Sequence, residues 1–143
     1  MIAFLDTNVL LDSLSRREPF WLDAARIWAL AERGEIQAYI SAVSFSNIYY
    51  ILRKAEGQLV ARKALVGLRD LFTTAACDRQ IIDQAIDAGF SDFEDAIQFF
   101  SAMRAGASHL VTRDPGHFPR GEIAIVTPAE FLLALARKEA PPQ

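Results

Sequence analysis

Short apolar runs of strand length punctuate the chain at residues 2–5, 36–40, 109–112 and 123–126, and the first is wholly apolar, as burial on both faces requires. Between them, apolar positions recur at helical spacing over 8–15, 19–33, 43–54, 59–72, 78–88, 91–105 and 128–137. Pro19 and Pro128 stand in opening turns, and Gly34, Gly89 and Gly106 stand at helix stops. Gly57 separates the third helix from the fourth, and a weaker strand at 73–76 is placed mainly by its neighbours. Asp78 is the expected N-cap of the fifth helix. Ser91-Asp92-Phe93-Glu94 reads as a capping box, with Ser91 at the N-cap and Glu94 three residues on. Strands alternating with helices predict an α/β fold, a three-layer α/β/α sandwich around a central, mostly parallel sheet. The expected boundaries are one domain over 1–138 and a frayed tail over 139–143, where Pro141-Pro142 falls.

Composition narrows the function classes. A chain of 143 residues, 52% hydrophobic and 23% charged, has the balance of a compact fold without long disorder. No apolar run approaches the ~20 residues of a membrane helix, and an acid as early as Asp6 argues against a secretory signal. The single cysteine, Cys77, cannot form an internal disulfide, so a cytoplasmic protein is expected. A net charge of −3 offers no broad basic face for coating nucleic acid. It leaves room for an enzyme that handles phosphates locally through bound cations.

Two predicted strands run into aspartate, the first into Asp6-Thr7-Asn8 and the fourth into Thr112-Arg113-Asp114. Sites form at the carboxyl ends of strands in open α/β sheets, and parallel strands put Asp6 and Asp114 on the same rim. Each could equally cap the element that follows it. The helix at 91–105 adds Asp95, at the edge of an apolar stripe of Phe93, Ala96, Ile97, Phe100 and Met103. Asp92 lies one turn away on the same flank, where an acid also compensates the helix dipole. Glu94 is left to the capping box. Unit charges ~4 Å apart repel by about 4 kcal/mol at an effective dielectric of 20. Carboxylates converging on one crevice therefore need raised pKa values, arginine partners or a cation. All-oxygen donors suit a hard ion, Mg²⁺ or Mn²⁺, which clamps a phosphodiester and acidifies an attacking water.

Leu5-Asp6-Thr7-Asn8-Val9-Leu10-Leu11-Asp12, Ser91-Asp92-Phe93-Glu94-Asp95-Ala96 and Val111-Thr112-Arg113-Asp114, in this order and spacing, resemble the PIN-domain ribonucleases. The resemblance runs from Ile2 to about Leu133 and is strongest to the VapC-type toxins of bacterial toxin–antitoxin pairs. It implies an α/β/α sandwich, RNA cleavage dependent on one or two Mg²⁺ or Mn²⁺ ions, a homodimer and a cognate antitoxin. Asp6, Asp95 and Asp114 look like the acidic ligands, with Asp92 as an additional candidate. Thr7, Asn8 and Thr112 look like supporting polar groups, and Arg113 would hold a phosphate or pair with an acid. Where the family usually carries a glutamate early in the third helix, this chain has Asn47. In a similar branch the last acid lies three positions beyond the Asp114 site, where this chain has His117.

The reading that follows is a metal-dependent endoribonuclease, the toxin of a toxin–antitoxin pair. Two others compete: a PIN module, weakened by Asn47, that binds RNA or a protein, and an Asp6-nucleophile phosphotransferase. The phosphotransferase lacks a second acid at Asn8 and a late lysine nearer than Lys138. A catalytic pair of His109 and His117 is a further alternative. Trp28, Tyr49 and Tyr50 read as core or interface aromatics, and Arg53, Lys54, Arg62, Lys63 and Arg69 as a solvated face.

Overall fold

The apolar run at the start of the chain forms strand β1 (Ile2–Leu5), in which Ala3 and Phe4 are fully buried. A computed structural model describes residues 1–139. After β1 come α1 (Thr7–Leu14), α2 (Trp21–Glu32), β2 (Gln37–Ser41), α3 (Ala42–Glu56), α4 (Gln58–Leu71) and β3 (Thr73–Ala75). The chain continues through α5 (Arg79–Ala88), α6 (Phe93–Arg104), β4 (His109–Val111), a 3₁₀ turn (Pro115–His117), β5 (Ala124–Val126) and α7 (Pro128–Glu139).

The five strands pair in the order β3-β2-β1-β4-β5, and every pairing is parallel. Alternation along the strands divides the core in two. Ala3, Leu5, Ala38, Ile40 and Val111 join the cluster built with α1 to α4 and α7. Phe4 and Leu110 face the other way, into a cluster with Ala102 of α6 and with Phe118 and Ile123. The result is the expected three-layer sandwich. The strand order also reverses at β1, which pairs with β2 on one side and β4 on the other. That is the switch point where loops diverge and leave a crevice at the carboxyl ends of the strands.

Several local expectations are corrected. Helix α1 begins at Thr7, with Asp6 as its N-cap, and α2 begins at Trp21, two residues beyond Pro19. The capping box does not form. Asp92 is the N-cap of α6 and accepts the Asp95 N–H at 3.0 Å, which frees Glu94 for another role. The buried face of α6 is Ala96, Ile97, Gln98, Ser101 and Ala102, while Phe93 and Met103 are 47% and 42% exposed. The small alanines and serine let the helix lie close against its neighbours. Phe99 and Phe100 turn aside and pack at a tilt against Phe90, at centroid distances of 5.7 and 6.1 Å. Glu139 ends α7 and is no part of a tail; the remainder of the expected tail, 140–143, lies outside the described residues.

Candidate active site

At the carboxyl ends of β1 and β4 lies a crevice of about 720 Å³, walled by the starts of α1 and α6, by α3 and by the turn after β4. Asp6, Asp92, Glu94, Asp95 and Asp114 line it, together with Thr7, Asn8, Asn47 and His117. Three separate chain segments thus deliver carboxylates to one place.

Asp6 is only 5% exposed, and both of its oxygens are held. Oδ1 accepts the Thr7 N–H at 2.7 Å, and Oδ2 accepts the hydroxyl of fully buried Thr112 at 2.8 Å. It therefore caps α1 and lines the crevice at once. Burial pushes its pKa up to about 7; the Thr112 and Thr7 bonds oppose the rise, and the charges of Asp95 and Glu94 add to it. Asp95 is pushed up to about 6, again mainly by burial, then by Asp92, with Glu94 and Asp114 adding to the rise and His117 opposing it. His117 Nδ1 stands 3.5 Å from Asp95 Oδ2. Asp114 is exposed at the rim, and its N–H donates to Thr112 Oγ1 at 3.2 Å. Asn8 Oδ1 accepts the Arg113 N–H at 3.5 Å.

The raised acid sets a sign for pH dependence. Asp6 binds its proton more tightly folded, at about 7, than unfolded, where a carboxyl titrates near 3.9. Its stabilising contribution is complete below the unfolded value and is lost as pH rises through 7. With EDTA present, the melting temperature should be higher at pH 5 than at pH 8. A curve that rises across that interval would contradict this account of Asp6.

For two residues the structure decides between readings that the sequence left open. Arg113 points away from the crevice, with Nε 3.1 Å from Asp12 Oδ2 and its guanidinium 4.6 Å from the centre of the Phe20 ring. Of its two expected roles it takes the pairing one. His109 opens β4, at the end of the strand opposite the crevice, and packs edge-on against Phe131. The two histidines are not brought together. Trp28 and Tyr49 pack against the core as expected, but Tyr50 is 60% exposed and lines the crevice.

Glu94 is the site residue that the sequence reading set aside. Its Oε1 accepts the Thr7 hydroxyl at 2.9 Å. Gln98 Nε2 donates to Thr7 Oγ1 at 3.1 Å and to Ser44 Oγ at 3.3 Å, and the two hydroxyl oxygens are 2.7 Å apart. Thr7's one proton goes to the carboxylate, so Ser44 must donate to Thr7. The network is therefore directed, from Gln98 through Ser44 and Thr7 to Glu94, and it ties α6 and α3 to α1. Gln98, a polar residue one turn after Glu94 in an apolar stretch, was the available signal.

Among the described residues, no three acidic, histidine or cysteine side chains are gathered round one point as a ready ligand set. The donor chemistry nevertheless fits a hard cation. Carboxylate oxygens dominate the crevice, no arginine or lysine among the described residues lines it, and the neighbouring carboxylates add to the rise that burial causes in Asp6 and Asp95.

A sequence profile of the PIN domain matches residues 3–115. The chain belongs to the PIN domain family. It is 26% identical over 140 residues to Ribonuclease VapC1 of Aquifex aeolicus, covering 90% of this chain and 92% of that relative. Among solved structures, this PIN chain superposes with a TM-score of 0.65 on a chain of a toxin–antitoxin complex from Klebsiella pneumoniae, at 26% identity over 88% of this chain and 97% of that one. VapBC2 of Rickettsia felis gives a TM-score of 0.64 over 87% of this chain and 97% of the other, and its 13% identity speaks for the fold alone.

Proposed function

We propose that this PIN protein is a metal-dependent endoribonuclease that hydrolyses RNA phosphodiesters and serves as the toxin of a toxin–antitoxin pair. One observation carries the reading: Asp6, Asp95 and Asp114, from three distant segments, line a single crevice at the switch point of the sheet. These three are the residues that would hold Mg²⁺ or Mn²⁺, one or two ions, with Asp92 and Glu94 at hand. A divalent cation bound there supplies positive charge to the phosphodiester and makes water acidic enough to attack it. The protein's own part is to hold the carboxylates. Thr112 and the Thr7 amide fix both oxygens of Asp6, and Asn8 steadies the turn that carries Asp114. Asn47 presents an uncharged amide from the α3 wall.

The similarity to VapC1 and to a chain crystallised in a toxin–antitoxin complex supports the toxin role and a cognate antitoxin as partner; a homodimer is proposed only because the family resemblance implies one. Action on cellular RNA assigns it to the cytoplasm, and no helix among the described residues is long and apolar enough to cross a membrane. Purified protein should cut structured RNA with Mn²⁺ or Mg²⁺ and not with EDTA, leaving 5′-phosphate ends. His109→Ala should cut as the wild type does. A 2′,3′-cyclic phosphate product would refute hydrolysis by water, and RNA binding without cleavage would favour a binding module.

Asn47 gives a separate expectation. Asn47→Glu adds a carboxylate to the crevice and should tighten Mn²⁺ binding about tenfold, read by calorimetry on the free protein. Unchanged affinity together with a large loss of stability would assign Asn47 to structure instead.

A further inference from the structure

RNA is a polyanion, and the crevice that would cut it is lined by acids, so cations beside its mouth must hold the strand. Half of the twelve arginines are already committed. Arg26, Arg33, Arg69, Arg79, Arg104 and Arg113 each pair with a carboxylate. Of the basic side chains in no ion pair among the described residues, Arg53 and Lys54 are the two that stand beside the crevice. They border a cleft of about 340 Å³ whose remaining lining residue is Tyr50, and Tyr50 also lines the crevice. Arg120 borders a different cleft, which shares no lining residue with the crevice.

The spacing on α3 makes this a continuous track. Asn47, Tyr50 and Ile51 face the crevice, and Lys54 follows Tyr50 at i+4 on the same face, about 6 Å along the axis. The Tyr50 ring is 60% exposed, and the Lys54 ammonium lies 4.9 Å from its centre. An exposed aromatic flanked by free cations is what single-stranded nucleic acid uses, since every base has a face to stack and every nucleotide a phosphate. We infer that an RNA strand leaves the crevice along α3, with one base stacked on Tyr50 and the adjoining phosphates held by Arg53 and Lys54. The inference rests on the ribonuclease reading and commits to RNA rather than a second copy of the chain.

Binding is measured by fluorescence anisotropy on a short labelled single-stranded RNA in EDTA, where no strand is cut. Tyr50→Ala should weaken binding about tenfold, and Tyr50→Trp should restore it. The double variant Arg53→Ala/Lys54→Ala should weaken binding and reduce the salt slope by about 1.4, the share of two single-strand phosphates. These positions are exposed, so circular dichroism should show an unaltered fold. Wild-type affinity in Tyr50→Ala, or equal losses in the Ala and Trp variants, would overturn the inference. A smaller sedimenting species with unchanged RNA affinity in Tyr50→Ala would also overturn it and give the surface to a second copy. If the wild type cuts RNA with Mn²⁺ while Tyr50→Ala binds normally, the path falls and the ribonuclease stands. A wild type that neither binds nor cuts RNA takes both down.

Discussion

Asp6→Asn is expected to reduce RNA cleavage by roughly 100-fold or more while making the metal-free protein harder to melt at pH 8. The two effects have one origin. Asp6 is buried and pushed up to about 7, so its ionised form at pH 8 is carried at a cost on the order of 4 kcal/mol. An amide of the same shape keeps an acceptor for the Thr7 N–H and removes the charge that Asp95 and Glu94 repel. Part of the gain is offset, because the Thr7 bond loses its ionic character and the amide NH2 at the Oδ2 position donates to the Thr112 hydroxyl where the carboxylate accepted from it. A rise in melting temperature of about 5 °C remains. The charge that destabilises the empty crevice is the one a cation needs, so Mn²⁺ affinity should fall with activity. A variant that melts lower than wild type and still cleaves would place Asp6 in the scaffold alone.

Arg113→Met should produce the largest loss of stability, about 3 kcal/mol, or ~10 °C in melting temperature. Asp12 is fully buried on α1, and burial raises its pKa against the opposing charges of Arg113 and Arg17. The 3.1 Å contact with Arg113 is off the hydrogen-bond axis, so neither Asp12 oxygen has a hydrogen bond and the attraction is Coulombic. Removing the arginine strands a buried carboxylate. The double variant Asp12→Leu/Arg113→Met removes both charges and should recover most of the loss, as read by chemical denaturation. If the double variant is as unstable as the single, the damage lies in the lost packing on Phe20 instead.

What could be read from the sequence was what local pattern determines. The strands were legible as short apolar runs, and the place of Asp6 and Asp114 on one rim follows once the sheet is parallel. Residues whose role depends on a distant partner were not legible. Glu94 looked occupied by a cap, because Ser91 and Asp92 are both good caps and only the folded helix chooses between them. Asp12 and Arg113 are remote in sequence, so nothing local marks them as a pair. Tyr50 was half legible: Ser44, Ile48 and Leu52 are the buried positions of α3, and a residue two beyond Ile48 must face outward. Its neighbour Tyr49 obscured this.

The hydrogen bond from Thr112 to Asp6 joins residues 106 positions apart, across strands that are neighbours only because the sheet order reverses at β1. During synthesis Asp6 is made well before Thr112, which holds its second oxygen, and before the rim acid Asp114. A nascent or truncated chain ending before β4 would hold Asp6 beside an unpaired strand edge, without Thr112 and without Asp114. Such a fragment could not assemble the crevice, whatever its helices had done. Completion of the fold through β4 is therefore the gate on assembling the crevice.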